Sequence, residues 1–119
     1  MISEYMLLLH EDPSGFQELA PDEIEKVIGE YMAWRQQLAQ SGRLAGGKKL
    51  RDEGGRWLTG DNGNVRVVDG PFSEANEVIG GFFMINVADY SEAVEISSDC
   101  PHLKYGGRIE LREVESIHE

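Results

Sequence analysis

The segment Gly81-Phe82-Phe83-Met84-Ile85-Asn86-Val87 constrains this chain more than any other, because it is apolar on both sides. Successive side chains of a strand point to opposite faces, so a strand of this composition needs cover above and below. Seven residues are short for a helix, and the run is rich in aromatic and branched side chains, so it reads as a central strand. One layer of helices can cover one face. The other face needs a second source of apolar surface.

The flanking sequence supplies the helices and the neighbouring strands. Residues 5–9 (YMLLL) read as a strand, closed by the polar run His10-Glu11-Asp12 and the breaker Pro13-Ser14-Gly15. Pro21-Asp22-Glu23 opens a helix, with proline at the first helical position and two acids where the dipole favours them. Ala20 before it has no side-chain oxygen to act as a cap. Ile24, Val27, Ile28, Tyr31, Trp34 and Leu38 then fall on one helical face, and Ser41-Gly42 ends the helix.

Residues 44–50 form a strand candidate containing Gly46-Gly47, and residues 51–55 a polar loop. Residues 56–59 and 65–68 flank Gly60-Asp61-Asn62-Gly63-Asn64, a tip tolerant of positive φ, which predicts a hairpin. Asp69-Gly70-Pro71 closes the hairpin, and residues 73–77 suit a short helical turn capped by Ser73. Asp89 with Glu92 reads as a capping box opening a second helix, whose inward face is Ala93, Val94, Ile96, Ser97 and Cys100 before Pro101 stops it. Residues 108–114 alternate as a last strand with Ile109 and Leu111 on one face, followed by a frayed tail at 115–119.

Set aside the hairpin, and the order is βαββαβ: an α+β, ferredoxin-like domain with a hairpin insertion, a single domain over residues 1–119. Two helices cover one face of its antiparallel sheet. The economical cover for the other face is the same face of a second copy, so a homodimer is expected.

Composition removes several function classes. With 22 acids against 11 bases the net charge is −11, which repels phosphate backbones and argues against nucleic-acid binding. Five of the bases nevertheless fall together: Arg43, Lys48, Lys49, Arg51 and Arg56. They are either a solvated strand and loop or a local site for an anionic small molecule, with Lys48 the ligand-binding candidate. The lone Cys100 excludes an internal disulfide and fits a reducing compartment. The apolar run 5–9 is too short to span a membrane and lacks the form of a signal peptide, so a cytoplasmic protein with no membrane partner is expected.

Candidate chemistry is sparse. His118 sits in the tail. The first and last strands of this topology are antiparallel neighbours, so His10 and His102 are expected to approach one another. Either imidazole could move a proton, with Asp69 orienting it. Each has a structural alternative: a surface position for His10, a helix cap or loop-carbonyl bond for His102, and turn hydrogen bonds for Asp69, which would present Phe72 to the core. Cys100, on the apolar side of a helix end, reads as structural rather than nucleophilic. No zinc site is expected, because Cys100 and His102 lack further ligands at usable spacing. Gly46-Gly47 and Gly80-Gly81 lack the pattern of a phosphate loop, and no cofactor is expected. Trp34, Trp57, Phe82 and Phe83 read as core.

The stretch VVDGPFSEANEVIGGFFMINVADYSEAVEISSDCPHLKYGGRIELREV, together with the N-terminal YMLLLH, resembles the DGPF-domain branch of the YCII-related family over nearly the whole chain. The resemblance implies a dimeric α/β-barrel of ferredoxin-like subunits with a cleft between sheet and helices. It also implies a His–Asp pair, proposed as an active site in some members. One relative is linked to removing chloride from a chlorinated hydroxyquinol, and other copies are fused to or neighbour sigma factors. Many members carry a histidine on the first helix. Here that helix has none, and Tyr31 is the nearest residue to that position. The expected function is therefore a dimeric small-molecule-binding domain with a sensing or regulatory role. Its alternative is a cofactor-free enzyme using His102, His10 and Asp69 for elimination, dehydrochlorination or isomerisation, with Tyr31 and Phe72 touching the ligand.

Overall fold

A computed structural model describes residues 2–13, 19–70 and 77–116. Its elements are β1 (Ser3–Glu11), α1 (Pro21–Gln40), β2 (Leu44–Lys49), β3 (Arg56–Asp61), β4 (Asn64–Asp69), β5 (Val78–Val87), α2 (Tyr90–Ser97), α3 (Pro101–Lys104) and β6 (Arg108–Glu113). The main sheet is antiparallel in the order β2-β5-β1-β6, and β3 pairs with β4 in a separate two-stranded sheet. The chain is thus α+β, compatible with a ferredoxin-like arrangement in which β3–β4 is the insertion.

The pleat divides the sheet into two unlike faces. Tyr5, Leu7 and Leu9 of β1 and Phe83, Ile85 and Val87 of β5 are buried beneath the helices, where Trp34 and Leu38 of α1 and Ala93 of α2 meet them. Trp34 packs edge-to-face on Phe83, ring centroids 5.0 Å apart. Met6, Leu8, Phe82 and Met84 point the other way and are half-buried. They form one patch, since Met6 pairs with Met84 and Leu8 with Phe82 across the β1/β5 ladder.

Local signals explain the boundaries. Glu23 accepts the Ala20 N–H at 3.2 Å, so α1 keeps the return half of a capping box although Ala20 offers no oxygen of its own. Asp89 caps α2 by accepting from Glu92 N at 2.9 Å. Asn62 and Gly63, both at positive φ, form the two-residue hairpin turn, and the flanking strands run right up to it.

Several expectations change. Pro101 does end α2, but it also starts the short α3, because a proline that cannot continue one helix is well placed at the first position of another. Ile28 lies outside the buried stripe of α1, 51% exposed. Trp57 is on the exposed hairpin rather than in the core. β1 continues two residues beyond Leu9, so His10 and Glu11 are strand residues. The turn expected at 73–77 and the tail with His118 lie largely outside the described residues.

Leu7 is fully buried at the centre of β1, which is paired by β5 on one edge and β6 on the other. Leu7→Ala is expected to lower the unfolding free energy by about 2–5 kcal/mol, with little local collapse possible in a sheet centre. Urea denaturation followed by circular dichroism measures it.

Candidate functional site

The end of β1 organises the polar chemistry. β5 carries one residue more than β1 where Leu9 pairs with Gly81 and His10 with Ile79, leaving Gly80 as the bulged residue. His10 and Glu11 project to opposite faces by the strand's alternation, His10 with Met6 and Leu8 and Glu11 on the helix side with Leu7 and Leu9. Its carboxylate lies flat on Gly80, where any Cβ would collide with it.

His102 is 3% exposed and both ring nitrogens are engaged. Nε2 is 2.7 Å from the carbonyl oxygen of His10, and Nδ1 is 2.8 Å from the Tyr31 hydroxyl. A carbonyl can only accept, so Nε2 carries the proton; the neutral ring then accepts at Nδ1 from Tyr31. Burial, with Cys100 and Glu11 nearby, pushes the Tyr31 phenol far above its usual range and keeps it a donor. The ring lies against Gly107, where a Cβ would overlap it, so the residue just before β6 must be glycine for His102 to sit there. His102 thereby ties the short α3 to β1 and α1.

His10 meets His102 through its backbone, not its side chain. Its own ring lies on the opposite face of the sheet, with Nε2 2.9 Å from Glu110 Oε1. That contact, with Arg112 at 3.1 Å, holds the Glu110 carboxyl below its ordinary value, the His10 hydrogen bond contributing most. Asp69 sits on β4, its side chain 84% exposed, with Arg56 Nε 3.1 Å from its carboxylate. The structure therefore brings Tyr31 and His102 together, places Asp69 on the hairpin, and puts Lys48 opposite Phe82 on the exposed sheet face. Phe72 lies outside the described residues. Cys100 is buried at the start of α3, and burial raises its thiol to about 11. Among the described residues no three His, Cys, Asp or Glu side chains gather as a metal would require.

Glu11 is the residue that sequence reasoning passed over. Burial raises its carboxyl pKa above 4.5, opposed by the positive field of Lys49. Among the described residues its carboxylate has no hydrogen-bond or ion-pair partner. It lines, with His10, a cleft of about 570 Å³ whose other walls include Leu50, Arg51, Trp57 and Ile79. The sequence signal was present in Gly80-Gly81, which mark a close approach on the strand beside β1.

A family model for the YCII-related domain matches residues 3–118. The chain belongs to the YCII-related family. An uncharacterized protein of Rhizobium meliloti (strain 1021) is 28% identical to this YCII-related domain over 96 residues, covering 80% of the chain and 77% of the relative. No described helix of the domain is long and apolar enough to cross a membrane.

Tyr31→Phe leaves the buried Nδ1 of His102 without a donor and is expected to cost about 1–3 kcal/mol of stability, read by urea denaturation. Glu11 gives a pH signature. A carboxyl that holds its proton more tightly when folded adds stability below its ordinary value, and loses it as pH rises through the raised one. Between pH 4.5 and neutrality the wild type should therefore lose stability relative to Glu11→Gln, whose amide never ionises. Paired denaturation curves across that range measure the gap, which should widen in favour of the variant as pH rises.

Proposed function

We propose that this YCII-related domain is a dimeric small-molecule-binding module whose ligand occupies the cleft at the end of the sheet. The supporting observation is the cleft itself: about 570 Å³, with Leu50, Trp57 and Ile79 for an apolar or aromatic body and Arg51 and Glu11 for its polar end. That volume falls in the range of small-molecule sites, and a few polar groups set among apolar walls are their usual lining. Arg51 suits an anionic substituent. Glu11, half-buried at the cleft wall, offers its carboxyl to a ligand's polar hydrogens. Binding of this kind fits a sensing or regulatory role in the cytoplasm and requires no chemistry.

Dimerisation is supported by the second face of the sheet. Met6, Leu8, Phe82 and Met84 make an apolar patch at the centre of a chain that carries a net charge of −11. A copy of the same face covers it without bringing its central positions into like-charge contact. Lys48, Glu110 and Arg112 surround the patch as a mixed-charge rim.

A second reading is a cofactor-free enzyme performing elimination, dehydrochlorination or isomerisation. The observation favouring it is Glu11, a carboxyl with a raised pKa at a cleft wall. In that reading Glu11 and His10 carry the proton transfers, and His102 with Tyr31 positions the strand end. Asp69, exposed and paired with Arg56, takes no direct part.

Trp57 reports on the cleft, whereas Trp34 is buried in the core. Titration with a panel of small aromatic carboxylates should give a saturable change in tryptophan fluorescence that is lost in Trp57→Phe and weakened about tenfold in Arg51→Ala, the scale of one charge-assisted bond. No saturable change across the panel, with no amide shifts at residues 10–11 and 50–57 by NMR, would count against the cleft. Mass spectrometry of the same mixtures decides between the readings: product that disappears with Glu11→Gln favours the enzyme.

A further inference from the structure

The β3–β4 hairpin stands away from the body of the chain. Among the described residues its strands pair only with each other, and every residue of β3 is exposed, as is every residue of β4 except the half-buried Val68. The radius of gyration is 16.4 Å, whereas a compact chain of this length has about 13.5 Å. An isolated two-stranded hairpin is marginal in water, so a lasting one needs something to pack against.

The two faces of this arm differ. Register places Trp57 and Val68, Thr59 and Arg66, and Asp61 and Asn64 on one face, and at its base Trp57 turns into the cleft. The opposite face carries Leu58 beside Val67 and Gly60 beside Val65, with Arg56 and Asp69 neutralising one another at its root. Leu58, Val65 and Val67 are 64%, 66% and 59% exposed. This is an apolar stripe with no unpaired charge, on a chain whose net charge is −11.

We infer that this Leu58–Val65–Val67 face is part of the contact between two copies of the chain. The inference rests on the dimer proposed above and specifies how it is held. A four-stranded sheet face alone is small: strands about 4.8 Å apart and some 20 Å long give roughly 400 Å². A stable interface needs about 800 Å² from each partner. One arm face adds roughly 200 Å² by the same measure, and the surface receiving the partner's arm about as much again. The arms bring the contact to the size a stable dimer requires. The chemistry also selects this occupant. A basic partner would be drawn to the acids elsewhere on the surface, whereas a neutral stripe suits a second copy of an acidic chain, which must be met without like-charge contact.

Analytical ultracentrifugation over a dilution series tests it on the full chain, comparing wild type with Val67→Lys on the stripe and Thr59→Lys on the opposite face of the arm. Both positions are exposed, and circular dichroism checks that the fold is kept. The expected result is a wild-type dimer whose dissociation constant rises roughly tenfold or more in Val67→Lys and stays unchanged in Thr59→Lys. A wild-type dimer indifferent to Val67→Lys overturns the arm contact and leaves the dimer standing. Equal weakening by both variants overturns the assignment to one face. A wild type that is monomeric throughout overturns the dimer and the arm together.

Discussion

The double pairing of β1 is the constraint on which the rest of the structure depends. β1 is bonded to β5 along one edge and to β6 along the other, so its side chains must serve a dry interior and an open face at every second residue. Leu7, with no exposed surface, anchors the first; Met6 and Leu8 serve the second. Where the ladder to β5 slips by one residue, the extra residue is Gly80 of β5, and β1 keeps its alternation. His10 stays on the open face, toward Glu110, and Glu11 stays on the helix face with Leu7 and Leu9. The missing Cβ of Gly80 is what leaves room for the Glu11 carboxylate. Burial there makes Glu11 hold its proton more tightly, whereas Glu110 on the other face is held the opposite way by His10 and Arg112.

The polar residues around that strand end divide by how fully they are bonded. His102 has a donor on one nitrogen and an acceptor on the other, inside a pocket closed by Gly107. An imidazole so held is a structural clamp: moving its proton would break one of two buried hydrogen bonds. Glu11 is the reverse, desolvated yet without a bonded partner among the described residues. Such a group is costly to keep charged, and it is costly for no structural return. In the proposed function, a ligand that bonds it would recover part of that cost.

Much of the architecture was legible because it depends on short-range signals. Pro21 and Gly42 bracket α1, Asn62-Gly63 makes the hairpin turn, and the two-sided apolar run of β5 places it in the sheet interior. The adjacency of His10 and His102 also followed from antiparallel topology. Which atoms would meet did not, because His10 shares the face of Met6 and Leu8, so only its backbone carbonyl reaches His102 on the helix side. Trp57 misled for a related reason. Hydrophobicity marks a residue that prefers cover, but β3 belongs to an arm outside the chain's own core. Asp69 illustrates the limit from the other side, since nothing in DGP distinguishes a carboxylate aimed at a histidine from one aimed across a hairpin at Arg56.

The arm joins the two proposed properties of the domain. Trp57 on one of its faces walls the cleft, and the stripe on its other face is assigned to the contact between copies. A two-stranded element with few other supports cannot be fixed on one face without being restrained on the other. In the proposed dimer, a ligand that orders Trp57 would lower the cost of ordering Leu58 and Val67, and association of two copies would lower the cost of ordering Trp57. Such coupling is reciprocal by necessity: whatever factor the ligand adds to dimer affinity, dimerisation adds to ligand affinity. A module built this way converts occupancy of a small cleft into a change of assembly with no chemical step, which is the physical content of a sensing role. The same coupling would be of little use to an enzyme that must release its product quickly, and this favours the binding reading over the catalytic one.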